Sequence, residues 1–266
     1  MHACAPATLA SAKARAIGRP QSSAAANALD GGTGSLHNRV SYVNSTADET
    51  INLLTGTGSG GTGSLANGDT YANIQDATGG SGNDTIVASQ AVNFLDGGAG
   101  SNTVSYAFST AAVTVNLVTG SGSGGFAAGD TYTGIQNVIG SALDDVIIAS
   151  SEANSIDGGS STASSHNRVS YVNSAADETI NLFTGLGSGT LAAGDTYTNI
   201  QDATGGSGND TFYGNSAANK FDGGGGTHNR VNYSTSTVSE TINLFNGTGT
   251  GGTNSLSNGD TSTNIQ

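Results

Sequence analysis

The chain has 266 residues with 42 Gly, 2 Pro, no Trp and only 10% charged side chains, and its formal net charge is −13. Seven basic against 20 acidic residues exclude nucleic acid and anionic membranes as electrostatic partners, and no apolar run reaches the roughly 18 residues of a membrane-spanning helix. Cys4 is the single cysteine, so no intrachain disulfide can staple the fold.

Residues 1–21, MHACAPATLASAKARAIGRPQ, contain Lys13, Arg15 and Arg19 and no acid. A secretory signal needs a basic start and then an apolar stretch, and here the basic residues come late. The segment reads as a disordered or non-repeat leader, or the start of an excerpt. Residues 22–266 then hold four basic and 20 acidic side chains, a chain that repels itself until cations neutralise it. Glycine and β-branched residues dominate this part and argue against helix.

Four copies of one phrase follow: ALDGG (28–32), FLDGG (94–98), SIDGG (155–159) and KFDGG (220–224), their Asp residues 66, 61 and 65 positions apart. Each copy continues with RVSYV, TVSYA, RVSYV or RVNYS, then ETINL or VTVNL. The alternation has the period of half-buried strands, with Val40, Tyr42, Ile51 and Leu53 facing the core or its rim. Glycine-rich stretches such as TGTGSGGTGSLANGD read as loops, and each leads to a Gly-Asp-Thr at Asp69, Asp130, Asp195 or Asp260, which reads as a turn. Copies one, three and four contain His-Asn-Arg (37–39, 166–168, 228–230), with a Glu ten residues after each Arg. Copy two has Thr103 and Val113 at the two charged places. Either the copies are recent duplicates, or Arg39/Glu49, Arg168/Glu178 and Arg230/Glu240 form ion pairs worth about 0.2–1 kcal/mol if exposed. The histidines are far apart and absent from copy two, a poor pattern for zinc or copper.

The most regular stretch, Gly79–Ser105, divides into three nine-residue words: GGSGNDTIV, ASQAVNFLD and GGAGSNTVS. The frame returns as GSALDDVII then ASSEANSID (140–157), and as GGSGNDTFY then GNSAANKFD (205–222). The eighth place is apolar throughout: Ile86, Leu95, Val104, Ile147, Ile156, Phe212 and Phe221. Disorder does not keep such a frame. Gly79 and Gly97 lie 18 residues apart, so two words form one coil and the Gly-Gly loops stack. Glycine permits left-handed turns and close backbone approach, and the Asp at the sixth place adds a hard charged oxygen of the kind that calcium prefers.

The word GGSGNDTIV fits G-G-x-G-x-D-x-U-x, and the stretch resembles the RTX, or haemolysin-type, calcium-binding repeats. The resemblance implies an all-β, right-handed parallel β-roll or β-solenoid over residues 22–266, with Ca2+ held between stacked loops. Asp84, Asp145 and Asp210 are the expected carboxylate ligands, and Gly79, Gly82, Gly205 and Gly208 would supply main-chain carbonyls. The sequence departs from the family where the partner loop carries Asn102, Asn167 or Asn229 in place of Asp; Asn102 would then be an uncharged ligand. The charge count predicts about one weak site per copy. No cluster suggests an enzyme, no phosphate loop is present, and no Thr-x-Thr ladder suggests an ice-binding face.

The expected function is a calcium-binding structural repeat region of a secreted or cell-surface bacterial protein that folds on meeting calcium outside the cell. Family members commonly leave by type I secretion. An accessory module of an extracellular polysaccharide-active enzyme or protease is the alternative, as is a calcium-independent adhesive or filament-forming solenoid. A surface glycan or a second copy stays open as a partner. The fourth copy reaches Gln266 where its calcium word is due, so the chain reads as part of a longer array.

Overall fold

The structure, a computed structural model, describes residues 25–33, 37–160 and 165–266 and the backbone of Ala12–Lys13. Apart from the strand Ala12–Lys13, which pairs with Arg39–Ser41, the leader expected over residues 1–21 lies outside the described residues. What is described is 27 short strands and one 3-10 turn, Gly125–Ala127. Most strands have three residues, and only the central one points inward. This is why the eighth place of each word must be apolar: Ile86, Val104, Ile147 and Phe212 are fully buried, and Leu95, Ile156 and Phe221 nearly so. Each such side chain contributes roughly 1.5–3 kcal/mol of burial. Val40, Tyr42, Ile51 and Leu53 are buried as their alternation predicts.

Successive half-coils alternate between two sheets, and strands stack in parallel register: Ile86 on Val104, Val104 on Val138, Val115 on Ile147, Ile147 on Val169. The fold is a parallel β-roll. One feature breaks the parallel rule. The glycine-rich stretches, expected as loops, contribute antiparallel strands: Glu49–Asn52, Thr57–Gly60 and Thr70–Ala72 form a meander within one sheet. Glycine is required there for a reason other than a turn. A β-carbon on Gly58, Gly122 or Gly187 would lie 2.0–2.2 Å from the hydroxyl of Tyr71, Tyr132 or Tyr197. The tyrosine fills the space that the glycine leaves.

Counting the meander as one, each copy makes five half-coils: Ala28–Asp30, Arg39–Ser41, the meander, Asp76–Thr78 and Thr85–Val87. Five is odd, so the next copy starts in the opposite sheet. The meanders of copies one and three lie in one sheet and those of copies two and four in the other, and the sheets end with 13 and 14 strands. An even number would have loaded every insertion onto one face.

Stacked loops approach so closely that some glycines are irreplaceable. Gly98 has φ 79°, and a β-carbon there would lie 2.2 Å from the Gly80 carbonyl oxygen, whereas Gly32, at φ 75°, faces open space. Both pay the left-handed penalty of about 1–2 kcal/mol when changed to alanine, and only Gly98 adds a backbone collision. Urea unfolding of Gly98→Ala should therefore show at least about twice the loss seen for Gly32→Ala. Equal losses would mean that the loops can slide apart.

Candidate metal centre and its carboxylate ladders

The first words place Asp84, Asp145 and Asp210 in equivalent, almost fully buried positions. Asp84 accepts the Gly80 N–H at 2.6 Å on Oδ2 and the Glu49 N–H at 2.7 Å on Oδ1. Asp145 accepts from Ser141 N (2.6 Å) and Val113 N (2.7 Å), and Asp210 from Gly206 N and Glu178 N, both at 2.8 Å. Burial pushes all three carboxyls above their ordinary range, against the lowering effect of those N–H donors. The ion pairs among the described residues go elsewhere, to Asp76 and Asp202.

Glycine lets each carboxylate pack directly against the loop backbone. A β-carbon on Gly79 would lie 2.3 Å from Asp84 Oδ2 and 2.5 Å from the carbonyl oxygen of Gly97 on the next loop. Gly140 faces Asp145 Oδ2 and the Gly158 carbonyl in the same way, and Gly205 faces Asp210 Oδ2. At Gly79 and Gly140 a carboxylate oxygen and a main-chain oxygen of the next loop thus converge on ground that any other residue would fill, and at Gly205 the carboxylate does so. Gly82 and Gly208, expected to supply main-chain carbonyls, also lack β-carbons where the Ala47 and Ala176 carbonyls of the stacked loop approach. Among the described residues no group of three or more His, Cys, Asp or Glu is placed to hold a metal ion. The oxygens that do converge, one carboxylate with a loop carbonyl at Asp84 and Asp145, are hard donors of the kind calcium takes.

Asn102, expected as an uncharged ligand, has its Oδ1 taken by the Asp84 N–H at 2.8 Å, and its Nδ2 donates to the Ala99 and Gly134 carbonyls at 3.0 and 2.9 Å. Asn167 and Asn229 repeat this, accepting from Asp145 N and Asp210 N and donating to the carbonyls of Asn199 and Asn264. In the middle words, Asn93, Asn154 and Asn219 donate to the carbonyls of Gln75, Gln136 and Gln201 at 2.6–2.8 Å. The sixth place therefore follows a rule. It is Asp where the neighbouring coil presents an N–H, and Asn where it presents a carbonyl.

Other recurrent acids are structural. Asp69, Asp130, Asp195 and Asp260 do close a turn through their N–H, as the Gly-Asp-Thr motif predicts. Their carboxylates point into the core, where they accept the hydroxyls of Tyr42, Tyr106, Tyr171 and Tyr233 and the N–H groups of Asn27, Asn93, Asn154 and Asn219. Burial pushes Asp130, Asp195 and Asp260 up to about 6, opposed by the tyrosine hydroxyls and those N–H donors.

The proposed Arg–Glu pairs do not form. Arg39 Nη2 lies 4.0 Å from Asp76 Oδ2 and Arg168 Nη2 lies 3.7 Å from Asp202 Oδ2, directly opposite on adjacent strands. Copy two has Asn137 at the Asp76 place, so the sequence held a second change accompanying Thr103 that pointed to this partner. His37 and His166 join the same carboxylates at 3.2 and 3.1 Å. Glu49 and Glu178 are instead buried, each in a cradle of N–H and serine hydroxyl donors; around Glu178 these are Ser174 Oγ (2.6 Å) and the N–H groups of Thr190, Leu191 and Ala192 (3.0, 2.9 and 3.1 Å). Glu240 has the same cradle. Against a desolvation penalty, the hydroxyls of Ser236, Ser255 and Ser257 and the Leu256 N–H hold it down to about 2.

No curated protein matches the chain. The RTX calcium-binding nonapeptide repeat matches it in four copies, over residues 76–106, 139–162 and 202–227, and these segments hold the Asp84, Asp145 and Asp210 loops. The stacked glycine loops of this roll are RTX calcium-binding nonapeptide repeats.

Proposed function

We propose that the chain is a calcium-stabilised structural repeat region, one domain over residues 22–266, that completes its folding outside the cell. It carries no catalytic centre of its own in this reading. The observation that carries it is the set of three buried sixth-place carboxylates, each packed against a glycine of its own loop inside a segment that matches the calcium-binding repeat. Calcium, when bound, supplies the positive charge that balances each buried carboxylate. Asp84, Asp145 and Asp210 are the charged ligands, and Gly79, Gly97, Gly140, Gly158 and Gly205 line the loops that would hold the ion. Because the family's repeats are calcium-binding motifs and the chain is strongly acidic, low calcium favours an extended chain and high calcium the roll. A bacterial secreted or surface protein exported by type I secretion fits this switch, and so does a module beside an extracellular catalytic domain.

The test is thermal melting of the full chain in chelator and in about 10 mM calcium. A site with Kd of about 1 mM adds roughly 1.4 kcal/mol under those conditions, so three sites should raise Tm by about 10 °C. The triple variant Asp84→Asn, Asp145→Asn, Asp210→Asn should lose that calcium-induced difference, whatever it costs the fold in both conditions alike. Equal Tm and an equal far-ultraviolet β signal for the wild type in both conditions would discard the calcium reading. A stacking solenoid would then stand in its place, a reading favoured by the continuous strand and asparagine ladders that close without a cation.

A further inference from the structure

The two kinds of sixth-place residue face opposite chemistry on the neighbouring coil. Asp84, Asp145 and Asp210 meet the N–H of Glu49, Val113 and Glu178. Asn102, Asn167 and Asn229 meet the carbonyls of Gly134, Asn199 and Asn264. A carboxylate in the second setting would point an anionic oxygen at a carbonyl oxygen inside a buried loop, an arrangement that only a cation between them relieves. The amide group relieves it without one, since its NH2 donates to the carbonyl while its oxygen still accepts the N–H of the coil below. All three third-word asparagines are fully buried, so water does not substitute for that donor.

We infer that the asparagine amides of the third words stand in for a divalent cation, closing these loops without metal and confining calcium dependence to the loops of Asp84, Asp145 and Asp210. The last clause rests on the calcium reading above; the first does not. The consequence is a roll tuned to respond partially to calcium. One loop in each stacked pair is clamped by an internal donor, and only the other awaits an ion. A single-atom change should convert the clamp into a site. Asp at 102 or 229 keeps the shape and the acceptor for Asp84 N or Asp210 N and loses only the donor. It also places a second carboxylate one coil from Asp84 or Asp210.

The experiment melts the full chain carrying Asn102→Asp and Asn229→Asp, in chelator and across a calcium titration to about 10 mM, beside the wild type. The expected result is a Tm in chelator at least about 10 °C below wild type, full recovery with calcium, and an apparent calcium affinity about tenfold higher, because each altered site gains a charge. An unchanged Tm in chelator overturns the inference, since the carbonyls would then need no donor. A lowered Tm that calcium does not restore also overturns it, because the amide would be an ordinary structural hydrogen bond. Should the pair not fold in chelator, Asn229→Asp alone, in the last full coil, supplies the same three outcomes. Recovery in the variant with no calcium response in the wild type would sustain the clamp and discard the calcium reading; the reverse pattern would do the opposite.

Discussion

Replacing Glu178 by alanine should cost the roll about 3 kcal/mol, among the largest effects of any single side chain outside the apolar core. Its carboxylate is buried and accepts from the Ser174 hydroxyl and three consecutive N–H groups, so it ties the glycine-rich loop of copy three to the strand that begins the meander. Hydrogen bonds to a charged group are worth about 1.5–3 kcal/mol each in favourable settings, and buried donors left without a partner cost about 1–3 kcal/mol; solvent reaching the exposed Thr190 end reduces the total. Urea unfolding should show the midpoint shift with little change in slope. Glu152→Ala, at an exposed position, should move it by less than about 0.5 kcal/mol. Copy two shows how the fold does without the carboxylate: Val113 is buried there along with Phe126, whose N–H goes to Ser109 Oγ. Copy three has Leu191 at the Phe126 place, but valine at 178 would leave the Thr190 and Ala192 N–H groups without their acceptor and should not rescue. A Glu178→Ala midpoint within error of wild type would mean that the loop finds water for all its donors.

The second large effect is on pH. Asp130, Asp195 and Asp260 have folded-state values of about 6, above the ordinary carboxyl value near 3.8. A raised carboxyl means that the folded chain holds its proton more tightly than the unfolded one. That stability is complete below about pH 4 and is lost as pH rises through about 6. The carboxyls held low, Asp30, Asp222 and Glu240, act oppositely, but their contribution is lost only as pH falls below the ordinary range. Between pH 4 and 7 the raised group dominates, and protonation also relieves the net charge of −13. Melting in chelator should therefore give a Tm at pH 5 about 5 °C or more above that at pH 7.5. Asp195→Asn should flatten the slope in that window. A Tm that falls on acidification would refute this account, for it would mean that the tyrosine hydroxyls of the core hold these carboxylates ionised.

Several details of the site were present in the sequence but unreadable without the stacking. The Arg39 partner is an example. Two charged or polar places, Val113 and Asn137, change along with Thr103 in copy two, and only the register of Arg39 opposite Asp76 selects between Glu49 and Asp76. The glycine-rich stretches have the composition of loops, and only the tyrosine hydroxyls beside Gly58, Gly122 and Gly187 explain why a strand in each of copies one to three needs glycine at that place. The Gly-Asp-Thr turns are where the motif places them, yet nothing local says that Asp69 reaches inward to Tyr42, 27 residues away.

By itself the sequence determined the nine-residue frame, the inward apolar eighth place, the sixth-place carboxylates and the family to which the repeats belong, because each is a local regularity repeated along one chain. Tertiary structure alone decided which sheet takes each meander, through the odd number of half-coils per copy. It also decided what the sixth place does. Whether Asp84 or Asn102 is the right residue depends on whether the coil beside it offers Glu49 N–H or the Gly134 carbonyl. Those groups are tens of residues away, and hydrogen-bond polarity between coils exists only once the coils have stacked.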